Sequence, residues 1–255
     1  MSLMLINTME PADRDAWVHD LIPPMLFENL ANLSEPINQP VRSLVDPVTG
    51  ELHVRVPAQR VDGDYALSLD LEEAGAGQLR LGFIIINDLA SPRFCIDRME
   101  GGKLTLLGTA GRNLDAERAA MTAGLGPCQV RKGLRLFGQL LPRLEAFAKR
   151  LGYVAFVLDP LTYHNAIMYE RYGFAYITGK KRMHEIDDAF GPEGILTSGL
   201  DGSTAFRQPQ ARATARGRSW AIHDGILDRL EPDLYLNLEM VKVIGQHAQH
   251  LTFSP

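Results

Sequence analysis

The chain has few cysteines, since its 255 residues contain only Cys95 and Cys128. Two cysteines cannot form a disulfide framework, so stability must come from a hydrophobic core, for which 45% hydrophobic residues suffice. Long apolar runs are also lacking, because Phe83 to Ile86 and Val154 to Leu158 fall far short of the roughly 20 residues of a membrane-spanning helix. The first thirty residues lack the basic-then-apolar order of a signal peptide. We therefore expect a cytoplasmic protein without a membrane span.

Positive charge is not in excess either, since the formal net charge is -5 and the sequence pI is near 5.8. This balance argues against a nucleic-acid partner, although local basic clusters remain compatible with one small anionic ligand. The glycine-rich motifs of common nucleotide-dependent enzymes are missing. His184-Glu185 has no second histidine one turn later, so we expect no catalytic metal.

Apolar patterning divides the chain into three consecutive segments. Residues 1–64 are predicted to be an N-terminal elaboration, residues 65–185 the core, and residues 186–255 a C-terminal extension. We expect the extension to pack on the core, so that the chain forms one compact unit. No internal repeat at a fixed period divides the chain further.

The first part of the core has the pattern of strands. Tyr65–Leu71 alternates at period two, and Leu79–Ile86 follows a glycine turn, which predicts two antiparallel strands. Residues 93–98 and 104–107 predict two more strands, on either side of Gly101-Gly102. A helix is predicted over residues 113–123.

The second part of the core alternates helices and strands. Apolar residues at spacings of three and four predict a helix over residues 132–151, which Pro142 is expected to break. A strand at 154–159, a short helix at 164–172 and a strand at 174–178 follow. This order predicts an α/β (α+β) fold with one parallel pairing, namely a mixed, mostly antiparallel sheet flanked by helices.

A basic loop opens the long predicted helix. It consists of Gln129, Val130, Arg131, Lys132, Gly133, Leu134 and Arg135. Backbone N–H groups at a helix start form an anion site with the helix dipole, and a glycine lets phosphate approach closely. The three basic side chains strengthen that field. The loop is therefore a candidate diphosphate site.

A second motif lies in the short helix, at Asn165 to Phe174, and contains Tyr169-Glu170 followed by Gly173-Phe174. Together the two motifs resemble the coenzyme-A-binding half of the GNAT superfamily of N-acetyltransferases. The resemblance departs from the family pattern at Val130 and Arg135 in the loop. It departs again at Thr162, where the family has an asparagine that here lies nearer, at Asn165.

The resemblance implies a GNAT-like fold and an acyl-CoA-dependent N-acyltransferase, most simply an acetyltransferase. It implies that the loop amides and Asn165 contact acetyl-CoA or another acyl-CoA. A small-molecule or peptide amine then attacks the thioester directly, and Tyr169 donates a proton to the leaving thiolate. The alternative is a non-catalytic GNAT-like domain that binds acyl-CoA as a sensor or serves as an interaction module. A homodimer is the commonest closed assembly.

The general base is not fixed by the motifs. Asp159, at the end of a buried strand, and His164 are candidates by position. The alternatives are that Asp159 caps the next helix and that His164 is a surface histidine. His223-Asp224 contributes only where the C-terminal segment covers the cleft. Cys128 suggests an acyl-cysteine, but a small half-buried thiol is the simpler interpretation.

Overall fold

The computed structural model describes residues 2–33, 41–57, 64–232 and 236–253. The protein has a mixed α+β fold with a seven-stranded, mostly antiparallel sheet flanked by helices, so the predicted fold class is confirmed. The strands are β1 (Arg42–Val45), β2 (Leu52–Pro57), β3 (Tyr65–Gly75), β4 (Gln78–Ile86), β5 (Ala155–Leu158), β6 (Ala175–Thr178) and β7 (Glu239–Val243). The strand order is β1-β2-β3-β4-β5-β7-β6.

The helices are α1 (Pro11–Leu21), α2 (Pro24–Ala31), α3 (Leu114–Thr122), α4 (Phe137–Arg150), α5 (Tyr163–Arg171), α6 (Lys180–Ala189), α7 (Ile195–Ser198) and α8 (Ala215–His223). Three 3-10 turns occupy Leu3–Thr8, Pro209–Ala213 and Ile226–Arg229. Among the residues described, no helix is both long and apolar enough to cross a membrane.

The chain forms two compact units, each built from separate stretches of sequence. The first unit comprises Met1–Pro92, Lys132–Asp159 and Val241–His247, and the second comprises Arg93–Arg131, Pro160–Met240 and Ala248–Pro255. The first unit thus combines stretches from all three predicted segments. Strand β2, which lies in the predicted N-terminal elaboration, pairs along its length with β3 of the predicted core.

The sheet of the first unit has one apolar and one polar face, because successive side chains of a strand point to opposite sides. The apolar face is buried and carries Leu52, Val54, Leu67, Leu69, Leu71, Leu79 and Leu81. The polar face carries His53, Arg55, Ser68 and Asp70 from the intervening positions of β2 and β3. The alternation of apolar and polar residues in the sequence therefore correctly predicts one apolar and one polar face of the sheet.

Helix α4 has one buried face, as its periodicity predicts, with Leu140, Leu144 and Phe147 inside. The predicted break at Pro142 is wrong, since the helix runs through this proline without interruption. Proline removes only the bond to the carbonyl four residues earlier, which belongs to Gly138. Gly152, with φ of +82°, ends the helix as expected.

The predicted start of α4 at residue 132 is also wrong, because the helix begins at Phe137. The preceding segment is extended along the end of β4. Gly133 forms an antiparallel bridge with Asn87, and the N–H of Leu134 donates to the carbonyl of Ile86 at 3.1 Å. Arg135 then adopts a left-handed backbone with φ of +58°, which interrupts regular structure before the helix.

The two strands predicted at 93–98 and 104–107 are not formed. The structure has a single isolated bridge there, between Arg98 and Leu104. Leu106 and Leu107 adopt left-handed φ values of +48° and +58°, which no β-strand accommodates. The segment is an irregular loop that leads into α3.

Candidate functional site

The parallel pairing between strands β4 and β5 of the first unit is short. The paired residues are Gln78 with Ala155, Leu79 with Phe156 and Arg80 with Val157. Strand β4 then continues to Ile86, and the described residues show no further pair with β5. Strand β5 ends at Leu158, so the second half of β4 runs beyond its parallel neighbour. Open α/β sheets bind ligands beyond the carboxyl ends of their strands, which makes this region a candidate binding site.

A β-bulge lies on β4 just beyond its last pair with β5. In the register between β3 and β4, Leu69 faces Ile84 and Leu71 faces Leu81. Between these two pairs, the single residue Asp70 of β3 lies opposite two residues of β4, Gly82 and Phe83. A bulge bends its strand and redirects the groups beside it, and bulges are over-represented next to active sites.

The end of β4 is unusually exposed for an apolar strand. Phe83 is 36% exposed and Ile84, Ile85 and Ile86 are half-buried, whereas Leu81 is only 3% exposed. The strand thus buries its first half in the core and presents an apolar strip at its second half. Such a strip suits an extended ligand with apolar segments.

The N-terminus of α4 lies beside this strip, because Leu134 bonds to the last residue of β4. The residue before the helix is Leu136, whose side chain makes no capping bond. Lys132 and Arg135 are exposed just before the helix, and exposed Gly138 is its second residue. The uncapped dipole and the two cations favour an anion here.

Gly138 was missed in the sequence analysis. A glycine inside a helix costs about 1 kcal/mol relative to alanine, so its presence in the predicted helix was the available signal. Its place in the first turn leaves the helix N-terminus without a side chain on that side. The candidate anion site therefore lies later in the chain than the sequence predicts.

Three backbone amides of the predicted loop are already bonded to other protein groups. The N–H of Lys132 donates to Ser91 Oγ at 3.2 Å, that of Leu134 to the Ile86 carbonyl, and that of Gln129 to the Gly126 carbonyl at 3.3 Å. These three N–H groups are therefore committed to protein atoms. A Cβ at Gly133 would lie 3.4 Å from the Ile86 carbonyl, at the edge of ordinary van der Waals contact, so the pairing with β4 does not itself require glycine.

The basic loop is divided between the two units, with Gln129, Val130 and Arg131 in the second and Lys132 onward in the first. The carbonyl of Val130 accepts the N–H of Phe94 at 2.8 Å, and Arg131 is half-buried. The exposed cations of the candidate site are thus Lys132 and Arg135.

Tyr169 lies on α5 in the second unit, half-buried, with its ring 5.3 Å from that of Phe174. Burial raises the pKa of Tyr169 to about 12. The phenol therefore keeps its proton at neutral pH, as a proton donor must, but it is a weaker acid than an exposed tyrosine.

His164 lies at the start of α5, and the alternative that it is a surface histidine is wrong, since it is only 8% exposed. Its Nδ1 lies 2.9 Å from both Thr162 Oγ1 and Ser219 Oγ. Burial, with a smaller contribution from Arg216, lowers the pKa of His164 to about 3. A group so weakly basic is a poor general base at neutral pH.

Asp159 does not cap α5, because Thr162 precedes that helix. Its carboxylate instead contacts Arg80, with Oδ2 2.6 Å from Nη1. This ion pair joins β4 to the end of β5 at their last pair. A general base needs a free carboxylate, and that of Asp159 is occupied by Arg80. Asn165, in the first turn of α5, is half-buried, and its N–H donates to the Thr162 carbonyl at 3.1 Å.

His223 and Asp224 belong to a buried charge network of the second unit. His223 Nε2 lies 3.3 Å from Glu117 Oε1, and Asp224 pairs with Arg112 at 2.9 Å and Arg207 at 3.0 Å. Burial alone raises the pKa of Glu117, but hydrogen bonds from His223 and Arg112 outweigh it and hold that pKa below its ordinary value. The ion pairs of this network give His223 and Asp224 a structural role.

Cys128 is half-buried, as the simpler interpretation predicts. Burial, and then the negative charge of Glu117, raise the pKa of its thiol from 9.0 to about 11. Such a thiol is poorly activated for an acyl-cysteine intermediate, because the thiolate is the nucleophile.

Cys128 is therefore expected to react slowly with thiol reagents. A rise of two pKa units lowers the thiolate fraction at pH 8 by about 100-fold. Exposed Cys95 provides the comparison within the same molecule. Iodoacetamide labelling followed by peptide mass spectrometry should show Cys128 at least about tenfold slower than Cys95. Faster labelling of Cys128 would contradict this environment.

The site of the first unit thus combines an apolar strand end, a bulge and an uncapped, basic helix start. These features suit an extended ligand with an anionic group at one end. No family of known proteins, no curated protein and no solved structure matches this chain.

Proposed function

We propose that this protein is an acyl-CoA-dependent N-acyltransferase that uses acetyl-CoA or another acyl-CoA and acts on a small-molecule or peptide amine. The observation that supports the proposal is that the exposed, apolar second half of β4, beyond its last pair with β5, lies beside the basic N-terminus of α4. A cytoplasmic location and a homodimeric assembly stay predictions from the sequence.

An acyl-CoA matches this region in polarity and charge. Its extended arm has amide groups that can pair with a strand edge, as peptides do when they add to a sheet. The stretch of β4 between Arg80 and Ile86 is the proposed partner, and at its end the Ile86 carbonyl already accepts the N–H of Leu134. The diphosphate then lies at the start of α4, near Lys132 and Arg135, rather than among the amides of the preceding loop.

The proposed reaction forms a C–N bond and breaks a C–S bond. The amine nitrogen attacks the thioester carbonyl carbon, the carbonyl oxygen carries the developing negative charge, and the electron pair of the C–S bond leaves with sulfur. The nitrogen loses a proton and the thiolate gains one. Tyr169 is the proposed donor on the strength of its motif, and it is protonated at neutral pH.

The second candidate function is acyl-CoA binding without catalysis. It is favoured because neither candidate base is available: His164 is buried and neutral, and Asp159 is paired with Arg80. A sensor needs a binding site for acyl-CoA but no general base. A transferase with this structure must take the amine proton through water or another side chain.

Coenzyme A is expected to raise the melting temperature of the protein. A ligand at 100 times its dissociation constant adds about 2.7 kcal/mol to the free energy of unfolding. Arg135→Glu should weaken coenzyme A binding at least about tenfold, since it reverses one charge at the diphosphate site. Lys149→Glu, the matched control, makes the same change of net charge at the exposed far end of α4 and should bind normally.

Differential scanning fluorimetry with coenzyme A and isothermal titration of the variants would check this prediction. No melting shift at millimolar coenzyme A would contradict both candidate functions. Thiol release from acetyl-CoA across a panel of amines then separates them. Binding without thiol release would favour the sensor.

A further inference from the structure

A connected cluster of four polar side chains occupies the polar face of β2 and β3 in the first unit. It consists of Glu51, His53, Arg55 and Asp70. His53 faces Asp70 directly in the antiparallel register, and its Nδ1 lies 2.7 Å from Asp70 Oδ1. Its Nε2 lies 3.8 Å from Glu51 Oε2. The imidazole therefore stands between two carboxylates.

The two sides of the imidazole differ. At 2.7 Å, Nδ1–H donates to Asp70, which leaves Nε2 of the neutral ring with a lone pair. The gap from Nε2 to Glu51 is too long for a hydrogen bond. His53 Nε2 and Glu51 Oε2, two atoms of types that bind metals, thus lie 3.8 Å apart without a hydrogen bond between them.

The spacing of these two acceptors suits a metal ion. Zinc binds imidazole nitrogen and carboxylate oxygen at about 2.0–2.2 Å, so two ligands at the tetrahedral angle lie about 3.4 Å apart. The observed 3.8 Å needs an adjustment of a few tenths of an ångström. A metal-bound histidine usually donates its other N–H to a carboxylate, which is the relation of His53 to Asp70.

Arg55 orients the cluster without competing for the metal position. Its Nη2 lies 2.6 Å from Asp70 Oδ1 and 3.4 Å from His53 Nδ1, on the side of the ring away from Nε2. Its Nη1 donates to the Leu69 carbonyl at 3.0 Å. The guanidinium therefore holds the Asp70 carboxylate where it can accept from Nδ1.

Glu51 is presented by a rigid hairpin turn. The Glu51 carbonyl accepts the N–H of Asp46 at 2.9 Å, and the Asp46 carboxylate accepts the N–H groups of Thr49 and Val48. These backbone hydrogen bonds, that of Thr49 first, lower the pKa of Asp46. The side chains of Glu51 and His53 are 31% and 29% exposed, so an ion can reach both from solvent.

We propose that His53 Nε2 and the Glu51 carboxylate bind a divalent transition-metal ion of the zinc type, with Asp70 as the outer partner of His53. Imidazole with carboxylate selects zinc, cobalt, nickel or copper over magnesium and calcium, which prefer all-oxygen sites. Two protein ligands leave coordination positions open to water or a further ligand. The proposal is independent of the coenzyme site.

The test is titration of the chelator-treated full chain with Zn²⁺ by calorimetry and with Co²⁺ by visible absorption. One ion is expected per chain. His53→Gln and Glu51→Gln should each weaken binding at least tenfold. Asp70→Asn should weaken it by about 10- to 100-fold, as loss of an outer partner does. The control is His247→Gln, which removes an exposed histidine of the same unit outside the cluster.

Circular dichroism of each variant confirms that the fold is kept. The proposal is overturned where the wild type binds neither ion at 1:1, or where binding survives both His53→Gln and Glu51→Gln. It is also overturned where His247→Gln loses as much affinity as His53→Gln, or where Mg²⁺ competes with Zn²⁺ at equal concentration. A melting shift with coenzyme A in the metal-free protein distinguishes failure here from failure of the transferase proposal.

Discussion

Tyr169→Phe is expected to lower the turnover of acyl transfer by about 10²- to 10⁴-fold and to leave coenzyme A affinity nearly unchanged. The substitution removes one hydroxyl and keeps the ring that packs on Phe174. Since burial raises the pKa of Tyr169 to about 12, the phenol stays protonated across the working pH range. Turnover should therefore show no loss from Tyr169 ionisation at pH 9.

The raised pKa also limits how the proton moves. A free thiol has a pKa of about 8.5, so full transfer from Tyr169 to the thiolate is uphill by about 3.5 units. We expect Tyr169 to stabilise the departing sulfur mainly through a hydrogen bond, with the proton following as the thiolate leaves.

The matched control is Tyr172→Phe, which makes the same change one turn later on the same segment. It should keep full turnover. Steady-state rates with saturating acetyl-CoA and the best amine of the panel would measure both variants. Wild-type turnover in Tyr169→Phe would remove this residue from the mechanism, and an equal loss in both variants would indicate a shared packing effect.

The sequence predicts those elements whose pattern reflects burial on one side. Strands β3 and β4 were predicted at residues 65–71 and 79–86 and lie at Tyr65–Gly75 and Gln78–Ile86. Helix α5 was predicted within one residue of Tyr163–Arg171 at each end. In each case one face packs in the core, and the spacing of apolar residues records that face directly.

The sequence does not predict elements that long-range backbone pairing decides. Residues 132–135 have a helical pattern, yet Leu134 bonds to Ile86, 48 positions earlier. Leu106, Leu107 and Arg135 adopt left-handed backbones, although nothing in these residue types favours positive φ. Tertiary contacts override local propensity at these points.

The candidate sites divide in the same way. The sequence identifies the basic loop, but it does not predict that α4 begins at Phe137, with Gly138 in its first turn. The start of α4 depends on the extended pairing of Gly133 with Asn87. The proposed metal-site cluster joins Glu51, which directly precedes β2, and His53 of β2 with Asp70 of β3. That juxtaposition requires the register of β2 with β3, which the sequence does not supply.

Glu170→Ala is expected to cost about 3 kcal/mol or more of the free energy of unfolding of the second unit. Glu170 is 1% exposed and accepts hydrogen bonds from the Tyr176 hydroxyl at 2.6 Å, the Thr252 N–H at 2.7 Å and the Thr252 hydroxyl at 2.5 Å. Alanine removes the acceptor that Glu170 provides to these donors. Burial first, and then Glu170, raise the pKa of Tyr176, so the phenol remains the donor.

This arrangement gives the second residue of the Tyr169-Glu170 motif a structural role, which is to fix the C-terminal segment around Thr252 within its own unit. Urea unfolding would measure the loss, with Glu185→Ala as the control. Glu185 is 38% exposed, and its ion pairs with Lys181 and Arg182 lie at the surface, so its removal should cost less than about 1 kcal/mol. Thr252→Ala should couple strongly to Glu170→Ala in a double-mutant cycle, because each removes partners of the other. A loss below 1 kcal/mol for Glu170→Ala, or additive losses in the cycle, would show that Glu170 does not hold the C-terminal segment.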